Sequence, residues 1–239
     1  MAGTILTDCK ILVGGYNLSG YSNSIGVEYG VEILDDTVFG TNGTRSNKPG
    51  LKNLSVTGGG FWDTDLDLVL YSKIGATRDV LTFAPVGNVE GERSFFTRAV
   101  SGTYAPLSGE VGALLPFELS FMNAASALIR GVVMASGSKA ASGNSTGLEL
   151  GLLGALQRAY SALHVTAVAA TSIQVIVESD DNSGFTTPTT RLTHTLVTDA
   201  AVTADWQELA GAVATDTWWR SKWTIIGGPF TIYHSFGIQ

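Results

Sequence analysis

Residues 35–75, DDTVFGTNGTRSNKPGLKNLSVTGGGFWDTDLDLVLYSKIG, decide how the chain is to be read. An extended run ends at Asp36-Thr37-Val38-Phe39-Gly40. The next ten residues, 41–50, are rich in Asn, Gly, Ser and Pro. Asn42-Gly43 suits turn positions with φ > 0, and Pro49-Gly50 sets a second turn. Leu51, Leu54, Val56 and Phe61 then return to strand composition. The triplet Gly58-Gly59-Gly60 interrupts them, which in a strand points to a bulge or a close backbone approach. A helix follows, because Leu66, Val69, Leu70 and Ile74 share one face of a 3.6-residue period. Asp63 or Thr64 can cap it, Asp65 and Asp67 suit its positive end, and Lys73 and Gly75 end it.

Upstream, residues 24–34 place Ile25, Val27, Tyr29, Val31 and Ile33 at odd positions and Glu28 and Glu32 at even ones. That alternation predicts a strand with one buried face. Further strands are expected at 4–13, 79–84, 93–102, 112–121 and 130–134, with Pro116 marking an edge or a bend. The small polar run 135–146 (ASGSKAASGNST) reads as a linker or long loop. Beyond it, short strands are expected at 148–153, 160–169, 172–178, 191–197, 206–210, 218–226 and 230–236. This spacing suggests a β-sandwich, jelly-roll or immunoglobulin-like in outline. The expected division is 1–135 as one β domain, 136–146 as linker and 147–239 as a β-sandwich.

Composition supports an all-β reading. Of 239 residues, 44% are hydrophobic, only 15% are charged, and 29 are Gly. Low charge suits a chain that hides much of its surface in an assembly. The net charge is −7 and is spread along the chain, with no basic block to neutralise phosphates. A conventional DNA-binding protein is therefore disfavoured. Cys9 is the single cysteine, so no internal disulfide and no thiolate metal site is expected. No signal peptide and no membrane-length apolar run is read from the sequence, which leads us to expect synthesis in the cytoplasm and no membrane partner.

Each chemical constellation has a plainer explanation. Asp63-x-Asp65-x-Asp67 opens like a calcium loop, but Leu68 stands where Gly is needed and Ile74 where Glu is needed. His164, His194 and His234 are far apart in sequence, and each is expected on the polar face of its own strand. No nucleophile elbow, zinc-protease motif or phosphate loop occurs, so neither an enzyme nor a cofactor is expected. In the run 218–223, Trp219, Ser221 and Trp223 share one strand face and read as core. Trp218, Arg220 and Lys222 share the other and could contact an outer-surface ligand such as a sugar.

The pieces Asp36-Thr37-Val38-Phe39-Gly40, Pro49-Gly50-Leu51-Lys52 and Gly60-Phe61-Trp62-Asp63, followed by one short helix, resemble the tail tube (major tail) proteins of tailed bacteriophages over roughly the first 130 residues. The resemblance implies a mainly β fold: a tail-tube-like β-barrel or sandwich with one short α-helix at 1–135, and an outer sandwich beyond it. It also implies a virion tail component that forms stacked rings, usually of six subunits, around a DNA conduit, beside other tail and connector proteins. Thr41, Asn42, Gly43, Arg45, Lys48 and Pro49 would then form an inter-subunit loop. Glu28 and Glu32, with Gly26 and Gly30 between and beside them, would face a lumen through which genomic DNA passes without sticking. The alternatives are a capsid-decorating or other virion surface protein, and a carbohydrate-binding or carbohydrate-processing module.

Overall fold

The structure is a computed structural model and describes residues 6–41, 43–76, 78–169, 171–198, 202–213 and 215–239. In chain order the first strands are β1 (Lys10–Val13), β2 (Tyr16–Asn17), β3 (Ser22–Asp35) and β4 (Asn47–Phe61). The helix α1 (Thr64–Lys73) follows, then β5 (Asp79–Ala84), β6 (Arg93–Ala105), β7 (Pro116–Asn123) and β8 (Ile129–Lys139). Next come β9 (Gly143–Asn144), β10 (Leu148–Glu149), β11 (Arg158–Val168), β12 (Ser172–Asp180) and β13 (Thr189–Thr193). The chain ends with β14 (Val197–Thr198), β15 (Thr203–Ala210), β16 (Trp218–Ile226) and β17 (Phe230–Ile238). Strands make up 59% and helix 5%, so the expected mainly-β class holds. The sheets are antiparallel and no barrel closes among the described residues.

The chain forms two compact units. One takes residues up to Gly20, Asp79–Arg98 and Ile129–Gln239; the other takes Tyr21–Arg78 and Ala99–Leu128. This corrects the expected boundaries. The segment read as a 136–146 linker lies largely in strands: β8 runs on to Lys139, and Ser136, Gly137, Ser138 and Lys139 pair with Tyr233, Ile232, Thr231 and Phe230 of β17. Small polar residues lack strand propensity of their own, but partners on a neighbouring strand override it.

The larger unit is a sandwich. One layer holds β15, β11, β17 and β8 in that order, continuing through the first half of β6 to β5, β1 and β2. The second layer is ordered β10-β16-β12-β13, with β14 on β12 and β9 on β16. Met134, Val177, Trp219 and Phe236 join one apolar cluster between the layers, and Leu163, Val175, Trp223 and Ile232 another. Trp219 stacks on Phe236 with ring centroids 5.0 Å apart.

The smaller unit is a four-stranded sheet, β3-β4-β7 and the second half of β6, with α1. The helix starts as expected, Asp63 accepting a hydrogen bond from the Asp65 backbone N–H at 2.9 Å. Leu66 and Leu70 are its buried residues. Asp67 ties it further, accepting from Trp62 Nε1 (3.1 Å) and the Tyr104 hydroxyl (2.8 Å). The glycine triplet marks a close approach, as expected. A Cβ at Gly60 would lie 1.9 Å from the Tyr21 carbonyl oxygen. Backbone cannot yield there as a flexible side chain would, so Gly60→Ala is expected to cost about 3 kcal/mol, the top of the usual overpacking range. Urea unfolding followed by tryptophan fluorescence checks this; an unchanged midpoint would refute the contact.

Candidate assembly and conduit surfaces

Antiparallel register decides which side chains share a face. In the smaller unit Val56 lies opposite Phe121, Gly58 opposite Leu119 and Gly60 opposite Phe117. Leu54, Val56, Phe117, Leu119 and Phe121 are all buried, so this face is the core. On the other face Glu28 opposes Ser55, Gly26 opposes Thr57 and Ser24 opposes Gly59. Gly59 in turn opposes Glu118, Thr57 opposes Ser120, and β6 adds Thr103 beside Ser120 and Ala105 beside Glu118. Opposite Glu32 the register shifts, with the extra residue on β4, so β3 keeps its alternation and Glu32 stays on the row of Glu28. Glu28, Glu32 and Glu118 are exposed on it. The sheet pairing thus brings Glu118 to the two carboxylates that the sequence singled out. Between Ser24 and Glu32 no Lys or Arg belongs to these rows; the next pair on the same face, Leu34 opposite Lys48, brings a cation that is bound to Asp36.

The face is shallow and concave. Ser24, Gly26, Thr57, Gly59, Glu118 and Ser120 line one depression, and Glu28, Gly30, Glu32, Asn53 and Ser55 another, with Lys52 at its rim. Glycines in the row of Glu28 leave nothing projecting between the carboxylates, which stand roughly 13 Å apart along β3 at strand rise.

The second surface is the outer part of the β3–β4 ribbon. Pairing continues to Leu34 opposite Lys48 and Asp35 opposite Asn47. Lys48 and Pro49, expected in the loop, therefore lie in β4; Pro49 is tolerated because β4 has only one neighbour at that point. Phe39–Thr41 forms a single 3-10 turn, Gly43 has φ of +75°, and Arg45 is exposed. Asn42 lies outside the described residues. Lys48 Nζ sits 2.6 Å from the Asp36 carboxylate, and this partner, with the Ser46 hydrogen bond, holds that carboxyl below its ordinary range. Val31, Ile33, Leu34, Val38, Phe39 and Leu51 are all exposed. β3 pairs with β4 alone, leaving its other edge without a described strand.

On the sandwich, the expected split of the 218–223 run is seen: Trp219, Ser221 and Trp223 are buried, while Trp218, Arg220 and Lys222 are partly exposed. Both cations are already engaged. Arg220 donates twice to Glu178 Oε2 (2.9 and 2.8 Å), Lys222 donates to Oε1 (2.9 Å), and the guanidinium lies over Phe185. Burial pushes the Glu178 carboxyl up, but Lys222 and Arg220 outweigh it and hold it below its ordinary value.

The histidines are a correction. His164 does point away from the Leu163 and Val165 face, yet it is fully buried, bonded to Thr82 Oγ1 (2.7 Å) and to the Gly14 carbonyl oxygen. Burial lowers it to about 4. His194 and His234, expected apart on polar faces, meet between the layers with Nε2 atoms 3.2 Å apart. The Ser161 hydroxyl lies 2.7 Å from one Nε2 and 2.6 Å from the other, and Asp205 holds His194 Nδ1 at 2.8 Å. Residue types alone would suggest a serine nucleophile with its base, but Ser161, His194 and His234 are all buried between the layers. The signal was present in parity: Ser161 alternates with Ala159 and Leu163, and His234 with Ile232 and Phe236, all inward.

The protein is thus of the mainly-β, antiparallel sandwich class, with an exposed two-stranded ribbon and one acidic sheet face. Solved structures that it is similar to include a chain of the virion of a native gene transfer agent particle, at 16% identity over 53% of this chain and 98% of that one, TM-score 0.44. A second is from the sheath–tube complex of an extracellular contractile injection system, PVC, in the extended state (13% identity, 53% and 90% covered, TM-score 0.39). A third is the SPP1 Dit (gp 19.1) protein, described as a paradigm of the hub adsorption apparatus in phages infecting Gram-positive bacteria (16% identity, 98% and 100% covered, TM-score 0.39). No protein-family model and no curated protein matches the sequence.

Proposed function

We propose that this chain is a structural subunit of a bacteriophage tail tube, assembling with copies of itself into stacked, six-membered rings around a DNA conduit. The carrying observation is the two-faced sheet of the smaller unit. One face is buried core on β4 and β7; the other is mostly polar, holds glycines, and bears Glu28, Glu32 and Glu118, with Lys48 only at its outer end. Repeated around a ring, such a face gives a lumen that repels the phosphate backbone, so DNA slides without binding. The open β3 edge supplies the assembly device, since unpaired strand groups accept a neighbour's strand and closed symmetry leaves no edge exposed. The ribbon tip, with Thr41, Gly43 and Arg45, then reaches an adjoining subunit, and other tail and connector proteins cap the stack. In this reading the chain works in the virion tail, without catalysis or cofactor.

Negative-stain images of the concentrated protein, free of other virion proteins, test the reading. Rings and stacked tubes are expected. A species that stays monomeric at high concentration would contradict it.

A further inference from the structure

A polar stripe crosses the middle of the sandwich, between the two apolar clusters, and nothing in ring assembly requires it. It runs Ser221 (β16), His234 (β17), Ser161 (β11), His194 (after β13) and Asp205 (β15), and so passes from layer to layer three times. Its contacts are Ser221 Oγ to His234 Nδ1 (2.8 Å), His234 Nε2 to Ser161 Oγ (2.6 Å), Ser161 Oγ to His194 Nε2 (2.7 Å) and His194 Nδ1 to Asp205 Oδ2 (2.8 Å).

Hydrogen-bond accounting allows one neutral arrangement. An ionised carboxylate only accepts, so His194 carries its proton on Nδ1 and offers a lone pair at Nε2. The Ser161 hydroxyl fills that lone pair. His234 must then donate from Nε2 to Ser161, because two facing lone pairs 3.2 Å apart would repel. Ser221 donates to His234 Nδ1, and every bond points toward Asp205. One added proton can be housed at His194, against Asp205, if the chain reverses. His194 Nε2–H then donates to Ser161, Ser161 to His234 Nε2, and His234 Nδ1–H to Ser221. A second proton has no place: both rings would direct N–H groups at Ser161, whose own hydroxyl would lose its acceptor.

We propose that this stripe is an acid-sensitive latch between the sandwich layers, which takes up one proton at His194 by reversing its bonds and opens the layers when His234 takes a second. The inference does not depend on the ring-forming reading. The uptake balances as a relay. A proton arriving at Ser221 Oγ displaces that hydroxyl's own proton to His234 Nδ1. His234 Nε2 passes its proton to Ser161, and Ser161 passes its own to His194 Nε2, leaving the charge beside Asp205. Asp205 is kept ionised: burial raises it, but His194, Gln207 and the Thr195 N–H outweigh this and hold it far below its usual range. The other ionisable neighbours are accounted for. His164 on β11 points to the opposite face, Arg191 on β13 is bound to Asp216 and Ser179, and Glu178, Arg220 and Lys222 lie on the outer face of β12 and β16. β8 brings Ala135, uncharged, opposite His234.

The direction of the pH effect follows. Burial, then the charges of His194 and His164, hold His234 well below its ordinary value. The unfolded ring protonates near pH 6.5 while the folded one does not, so this stability is present above that pH and is lost as pH falls. Each such ring lowers the folding constant about tenfold per pH unit below about pH 6.

Imidazole ¹⁵N NMR of the wild-type chain tests the latch directly. At pH 7.5 His234 is expected as the Nε2–H form and His194 as Nδ1–H. On acidification His194 should become the cation while His234 stays neutral and switches to Nδ1–H. A His234 that charges before or with His194, or keeps its form throughout, overturns the proposal. In urea unfolding between pH 6 and 5, His234→Gln should lose stability about tenfold less per pH unit than wild type. An equal slope in a folded variant overturns it as well; a variant that fails to fold leaves the NMR result to decide.

Discussion

Replacing residues 31–52 by a two-residue Asn-Gly turn is expected to leave a folded monomer that forms no rings. The register permits the graft, because Gly30 lies opposite Asn53 and a two-residue turn closes an antiparallel pair. Among the described residues of 31–52 none is buried, so the core loses nothing and the monomer should change by no more than about 0.5 kcal/mol. The ribbon itself has every reason to seek a partner. A two-stranded hairpin alone is marginal in water, and this one exposes Val31, Ile33, Leu34, Val38, Phe39 and Leu51. Burying them is worth on the order of 1.5 kcal/mol each, about 9 kcal/mol together, which is comparable with the cost of association. Without that contribution the ring equilibrium should collapse. Light scattering at matched concentrations reports it, and rings of normal size from the shortened chain would place the contacts elsewhere.

The second large effect concerns the lumen. Substituting Glu28, Glu32 and Glu118 by Lys turns three negative charges per subunit into three positive ones without touching the core face. Assembly should survive, because these side chains lie on the exposed side of the sheet. Genome passage should slow by about tenfold or more, since a narrow low-dielectric bore focuses the field of every copy. The effect should shrink as salt rises, because screening shortens the reach of each charge to about 10 Å at 0.1 M. Ejection at the unaltered rate in low salt, from particles shown to carry the substitutions, would remove the lumen assignment.

Much of this was legible in the sequence, and what was not has physical causes. The period-2 alternation through Ile25 to Ile33 gave β3 as a strand, and the apolar spacing of Leu66 and Leu70 behind the Asp63 cap gave α1. Both are local signals. The alternation did not give the buried face expected of β3: Val27, Val31 and Ile33 are exposed, because β3 is an edge strand paired, among the described residues, with β4 alone. The end of β8 was not legible, because Ser136 to Lys139 have no intrinsic strand preference and owe their strand to β17, about a hundred residues on. Strand pairing also explains why the division into units is not a division of the sequence. Glu118 joined the acidic row only through β7, whose register no local pattern reports. The histidines were misplaced for a related reason: polar residues were expected on solvated faces, whereas hydrogen-bond partners brought by distant strands let Ser161, His194 and His234 stay inside.

The central claim is that the Glu28, Glu32 and Glu118 face of the smaller unit lines the bore of a self-assembled ring. A cryo-EM reconstruction of the assembled protein tests it most directly. The account predicts a closed ring whose inner wall is the β3-β4-β7-β6 sheet, with all three carboxylates pointing into the channel and the β3–β4 ribbon against a neighbouring subunit. A ring, or any other assembly, in which that face is packed against protein or turned outward would contradict it.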